Sequence, residues 1–147
     1  YNSGDYQQAA EMYRSGLRGL YATDPELMLG LARSQFALNL NADARQTLDA
    51  LIAANPDFRS DSGHLLYARC LEALGDIPAA IHEYEALVDG FTGEEARVRF
   101  GLLLKREGRA AQASEIFDTV LKRSRVAPKY YQREQREWID IATREAK

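Results

Sequence analysis

No apolar run in this sequence approaches the roughly 18 to 20 residues needed to span a bilayer, and no charged start followed by an apolar stretch marks a secretion signal. Cysteine is reduced to Cys70, so an intrachain disulfide is impossible. Its setting inside an apolar stretch fits a buried thiol in a reducing compartment, which predicts a cytoplasmic location. Four prolines and singly scattered glycines leave no Pro/Gly/Ser linker, so residues 1–147 are expected to form one structural unit. Histidine is scarce too. His64 and His82 lie 18 residues apart without further ligands at metal-site spacing, whereas zinc needs three or four that converge. Cys70 follows His64 by six residues, a helical rotation of about 240°, which separates the thiol from any base.

Glycine-rich phosphate loops, a Gly-x-Ser-x-Gly elbow and a dinucleotide fingerprint are all missing. Glu83 and Glu85 with Glu94 and Glu95 could be read as paired carboxylates for acid/base work. Acidic side chains at helix starts and on outer faces are the expected company of the helix dipole, and that is the reading preferred here. The sequence therefore predicts no catalytic residue, no cofactor and no metal, and argues against an enzyme.

What is present is a 46% apolar composition, enough for a real core, and a lopsided charge distribution. Residues 1–96 carry 6 basic and 15 acidic side chains, and residues 97–147 carry 13 basic and 7 acidic. Arg97, Arg99, Arg106, Arg109, Lys122, Arg123, Arg125 and Lys129 supply much of the second excess. Such a surface suits an anionic partner or head-to-tail contact between copies; the plain alternative is a solvated helical face.

Self-similarity organises the rest. Gly4-Asp5-Tyr6-Gln7-Gln8-Ala9, Gly75-Asp76-Ile77-Pro78-Ala79-Ala80 and Gly108-Arg109-Ala110-Ala111-Gln112-Ala113 recur, with a degenerate copy at Asn39-Leu40-Asn41-Ala42-Asp43-Ala44. The closing alanines, Ala9, Ala44, Ala80 and Ala113, are 35, 36 and 33 residues apart, and four residues beyond each stands Tyr13, Leu48, Tyr84 or Phe117. A small side chain followed one turn later by a bulky one is what closely crossing helices require. Before each turn lies another helical segment with its own small residue, as in Leu29-Gly30-Leu31-Ala32, Leu66-Tyr67-Ala68 and Phe100-Gly101-Leu102. Gly or Asn after the first helix fits a left-handed terminator, and Pro25 and Pro56 mark unit boundaries.

This pattern resembles the tetratricopeptide repeat, a helix-turn-helix of about 34 residues with Leu-Gly in its first helix and Ala, Phe/Tyr and Pro in its second. The frequent Trp of the first helix is replaced by Met28, His64 and Arg97, and the fourth unit lacks its closing Pro. The resemblance implies an all-α, right-handed α-solenoid of helical hairpins with a C-terminal cap. Its units would be 1–24 (the second half of a repeat), 25–57, 60–92 and 94–124, with a capping helix at 128–147. Helices are expected near 5–20, 25–38, 42–54, 62–74, 77–89, 94–107, 110–124 and 128–145. The chain begins at Tyr1 rather than Met and in mid-hairpin, which predicts residues upstream. It leaves Tyr6, Ala9, Tyr13 and Leu17 as a face able to pair with a second copy in a homodimer. In the cap, Tyr131, Trp138 and Ala142 form the apolar stripe.

A narrower resemblance rests on Asn55-Pro56-Asp57-Phe58, Gly63-His64-Leu65-Leu66-Tyr67-Ala68-Arg69, Ala96-Arg97-Val98-Arg99-Phe100-Gly101-Leu102-Leu103-Leu104, Ala127-Pro128-Lys129-Tyr130-Tyr131 and Gln135-Arg136-Glu137-Trp138. These stretches look like a group of bacterial repeat proteins with an N-terminal membrane-spanning region, which implies tethering at the inner membrane through sequence preceding this chain.

Tetratricopeptide stacks bind along the concave surface lined by first helices. The residues expected there are Leu29, Arg33 and Phe36, then Leu65, Arg69 and Glu72, then Val98, Leu102, Lys105 and Arg106. Arg33 and Arg69 are 36 residues apart, one repeat, and should stack as neighbours. Cations beside apolar residues suit a peptide with acidic groups or a free carboxylate. The predicted function is therefore a protein-interaction scaffold binding a peptide or partner segment. The alternative is a self-associating element, or a basic surface on an anionic membrane. Specific nucleic-acid binding is not expected of a chain whose first part is so acidic.

Overall fold

The computed structural model describes residues 3–18 and 22–147, and every regular element among them is helical. In chain order these are α1 (Ser3–Gly16), α2 (Pro25–Ala37), α3 (Asn41–Ala54), α4 (Asp61–Ala73), α5 (Ile77–Val88), α6 (Glu95–Arg106), α7 (Ala110–Val126), α8 (Lys129–Glu134) and α9 (Arg136–Glu145). They group into two compact units, the first ending at Ala80 and the second running from Ile81 to Lys147.

The hairpin turns repeat one chemistry. Asn39, Gly75 and Gly108 have φ of 63°, 82° and 80°, the left-handed region that ends a helix without a Cβ penalty when glycine occupies it. In each turn the N–H of this residue donates three residues back, to the carbonyls of Phe36, Glu72 and Lys105. The next N–H donates five back: Leu40 to Gln35 at 2.9 Å, Asp76 to Leu71 at 3.0 Å and Arg109 to Leu104 at 2.9 Å. This paired closure satisfies carbonyls the helix end leaves open. Starts are equally local: Asp24 Oδ1 accepts the Leu27 N–H at 3.0 Å with Pro25 in the first turn, and Ser60 Oγ accepts the Gly63 N–H at 3.0 Å.

In the first unit α2 packs on α1 and α3, and α4 packs on α3 while running along α2. Met28, Leu29 and Ala32 of α2 meet Ala44, Leu48 and Leu51 of α3 and Leu66 and Cys70 of α4, with Leu17, Phe36, Phe58 and Tyr67 closing the edges. Burial pushes the Cys70 thiol up to about 11. So little thiolate at neutral pH predicts that iodoacetamide alkylates the native chain at least about a hundredfold more slowly than the urea-unfolded chain. Comparable rates by mass spectrometry would contradict a buried Cys70.

In the second unit α6 packs on α7, and α9 packs on α7 and α6. Within its own unit α9 thus takes the place that α4 takes against α3 and α2. The ring of Tyr84 stacks on Phe100 with centroids 5.6 Å apart. A Cβ on Gly101 would fall 2.7 Å from the ring of buried Phe117, so glycine is what lets α6 and α7 approach.

The small-then-bulky spacing holds as read at Ala44/Leu48, Ala80/Tyr84 and Ala113/Phe117, all buried. In α1 the buried alanine is Ala10, and Ala9 is half-buried. Two elements differ from expectation by more than two residues. The first helix ends at Gly16, whereas the expectation ran to residue 20; residues 19 and 20 lie outside the described ones. The single capping helix expected over 128–145 is interrupted at Gln135, whose side-chain oxygen accepts the Glu94 N–H at 2.9 Å. That distant bond fixes Gln135 at the break. The N-terminal face is also partly covered, since Leu17 packs on the first unit's core and the ring of Tyr13 lies against Gly30. Those two side chains are engaged within the chain, and the exposed apolar residue of α1 is Met12.

Candidate functional site: the first-helix faces

Counting back from the left-handed residue that ends each first helix puts Phe36, Glu72 and Lys105 in one register, Arg33, Arg69 and Leu102 in a second, and Leu29, Leu65 and Val98 in a third. In the first unit the two outer registers converge. Arg33 of α2 donates from Nη2 to Ser62 Oγ of α4 at 2.6 Å, and the Arg69 guanidinium sits 4.7 Å from the centre of the Phe36 ring. The ring face attracts the cation and restrains it. Glu72 follows one turn beyond Arg69 and is half-buried.

The third register does not face outward as expected. Leu29, Leu65 and Val98 are all buried, at 2%, 5% and 0% exposure. For Leu29 the cause is visible: its Cδ1 lies 3.3 Å from where a Cβ on Gly63 would be, so the first turn of α4 covers it. Helical periodicity placed Leu29 one turn from the outer registers, but the first turn of α4 closes over it.

Leu102, Lys105 and Arg106 belong to the second unit. Leu102 is half-buried, and Lys105 and Arg106 are exposed. Lys105 pairs with Glu145 of α9. Arg99 donates to Glu95 at 2.8 Å and lies 5.0 Å from the Trp138 ring centre, so Trp138 packs under a cation rather than standing open. The charge imbalance also narrows, because the second unit as a whole holds 13 basic and 12 acidic residues.

Glu94 departs most from its sequence reading. It is not on a solvated outer face but fully buried at 0% exposure. Its carboxylate lies 3.7 Å from Arg97 Nη1, accepts from Arg123 Nε at 3.3 Å, and accepts the Tyr131 hydroxyl. Arg97, also buried, donates to the Gly93 carbonyl at 2.8 Å. Burial lowers the Arg97 guanidinium below its ordinary value, and Glu94 opposes that shift. Burial raises Tyr131, and its bond to Glu94 raises it further, keeping the phenol protonated as a donor. Burial lowers Arg123, but Glu94 and Tyr131 outweigh it, so the net shift is upward. The cluster ties the start of α6 to α7 and α8, and removes Arg97 from the basic surface. One sequence signal was available: Arg97 occupies the register of Met28, an inward position, and an inward arginine requires a carboxylate.

Among the described residues no three His, Cys, Asp or Glu side chains are grouped to hold a metal, and no helix is long and apolar enough to cross a membrane. Recurrent turns, recurrent small-residue contacts and, in the first unit, α2 and α4 lying side by side define a helical-hairpin repeat fold of the solenoid class. A tetratricopeptide-repeat family model matches residues 2–62 of the chain.

Solved structures share the fold. A crystal structure of MamA has a TM-score of 0.70 at 19% identity, covering 97% of this chain and 85% of that one. A second, of MamA protein, gives 0.69 and 20%, covering 97% and 79%. A crystal structure of nearly identical tetratricopeptide-like repeats assigned to a Podosopora anserina kinesin light chain gives 0.72 at 16% identity, covering 97% and 79%. No curated protein matches the chain. Tetratricopeptide repeats are in general non-enzymatic scaffolds for protein–protein interaction.

Proposed function

We propose that this chain is an interaction scaffold holding an acidic peptide or partner segment on its first-helix faces. The observation that carries the reading is the pair of side-chain contacts between α2 and α4, in which Arg69 lies over Phe36 and Arg33 donates to Ser62. A cation restrained by an aromatic ring loses less freedom on meeting a carboxylate than an unrestrained side chain does. Arg33, Phe36, Arg69 and Glu72 form the primary contact surface, and Leu102, Lys105 and Arg106 offer a like surface on α6. Leu29, Leu65 and Val98 act beneath it, setting the spacing of the helices that carry the contacts.

Affinity capture from lysate, comparing the parent with its Arg33→Glu/Arg69→Glu form, tests this. Both positions lie outside the core, so helicity by circular dichroism is expected to be unchanged. A partner held by the parent is expected to be retained at least about tenfold less by the variant, because like charges would then face each other. Equal retention by both forms would remove the first-unit face from the account.

A further inference from the structure

We infer that the corner formed by the end of α7, the turn at 127–128 and α8 docks on an anionic phospholipid surface, with Val126 and Tyr130 entering the interface and Arg125 and Arg136 taking a lipid phosphate. None of these four residues belongs to α2, α4 or α6. Residues 121–136 hold six basic side chains and one acidic, although their unit is nearly neutral. Val126 is 87% exposed and Tyr130 60%, the only large apolar side chains so exposed among the described residues of that unit. An exposed aliphatic and an exposed aromatic set among cations form the pattern that partitions into a headgroup layer: the rings and methyls lose water there, and the cations stay with lipid phosphate.

The two arginines meet at a built feature. Arg125 and Arg136 line a cleft of about 260 Å³ with Leu121, Ser124, Gln132 and Ile139. Its other polar groups are engaged internally. Ser124 Oγ donates to the Val120 carbonyl at 2.7 Å, and Gln132 Nε2 donates to the carbonyls of Ser124 and Ala127 at 2.8 and 3.1 Å. Neither guanidinium makes an ion pair or hydrogen bond among the described residues. Each carries about five donors and no acceptor, so together they select an anion, and the aliphatic floor admits the carbon chain attached to it. Basic residues in the last turn of α7 have a simpler explanation in the helix dipole, but Lys129 opens α8, the end where that dipole disfavours a cation.

The test is co-sedimentation with vesicles of equimolar phosphatidylglycerol and phosphatidylcholine, beside vesicles of phosphatidylcholine alone. The parent is expected to bind the first and not the second. Arg125→Gln/Arg136→Gln is expected to weaken binding about thirtyfold, at about 1 kcal/mol for each cation. Val126→Ser/Tyr130→Ser is expected to weaken binding even in low salt, where charge alone is strongest. Arg33→Glu/Arg69→Glu is expected to bind as the parent does, so failure of the peptide face and failure of this corner are distinguishable. Absence of binding, equal binding by both vesicle types, or indifference to both corner variants would overturn the inference. So would saturation of the cleft by soluble glycerol phosphate without vesicle binding, or preference for an acidic polypeptide over vesicles.

Discussion

Replacing Glu94 with alanine is expected to destabilise the second unit by about 3–5 kcal/mol, the cost of leaving a buried charge without its partner. Arg97 is 5% exposed and cannot turn to water without opening the contact between α6 and its neighbours. Arg123, whose side chain is 45% exposed, can be hydrated and adds little to the loss. Removing both buried charges together, as Glu94→Leu/Arg97→Met, is expected to cost far less, because apolar residues of similar volume replace a desolvated pair. Urea unfolding of the three chains decides the matter. If Glu94→Ala unfolds at the parent's midpoint, the carboxylate is not the counter-charge described here.

The second large effect concerns two glycines that look alike in sequence and differ in their surroundings. A Cβ at Gly30 would lie 2.3 Å from the Tyr13 ring, and one at Gly101 would lie 2.7 Å from the Phe117 ring. Distance alone predicts that Gly30 is the more sensitive. The opposite is expected. Tyr13 is half-buried and its ring can swing outward, whereas Phe117 at 1% exposure is enclosed by the second unit's core. Gly101→Val should cost about 3 kcal/mol and Gly30→Val about 1 kcal/mol, the range that overpacking of a helix contact spans. Thermal or urea midpoints in the reverse order would show that the α6–α7 contact is not the tighter one.

These contrasts mark what a sequence can carry. The turns were legible because a left-handed backbone narrows the choice of residue at one position, and Asn39, Gly75 and Gly108 are that signature in register. The alanine-then-bulky pairs were legible because close helix crossing needs a small side chain whatever the partner. The contact of Phe36 with Arg69 joins first helices one repeat apart, as the repeat distance allows.

Other features depend on which element covers which, and no local rule states that. Leu29 shares a helical face with Arg33, yet α4 closes over one and not the other. Glu94 stands where a helix start ordinarily turns an acid to water, and its burial needs Arg97, Arg123 and Tyr131, drawn from 3, 29 and 37 residues away. The interruption at Gln135 has the same origin, a bond to the backbone of Glu94 that sequence spacing could not reveal.

The central claim is that partners are held on the first-helix faces. Hydrogen–deuterium exchange of the chain with and without a captured partner tests it most directly, read peptide by peptide across α2 and α4. Bound partner is predicted to slow exchange in segments containing Arg33, Phe36, Arg69 and Glu72 and to leave α3 as it is in the free chain. Protection confined to α3, or to the α7–α8 corner, would contradict the claim.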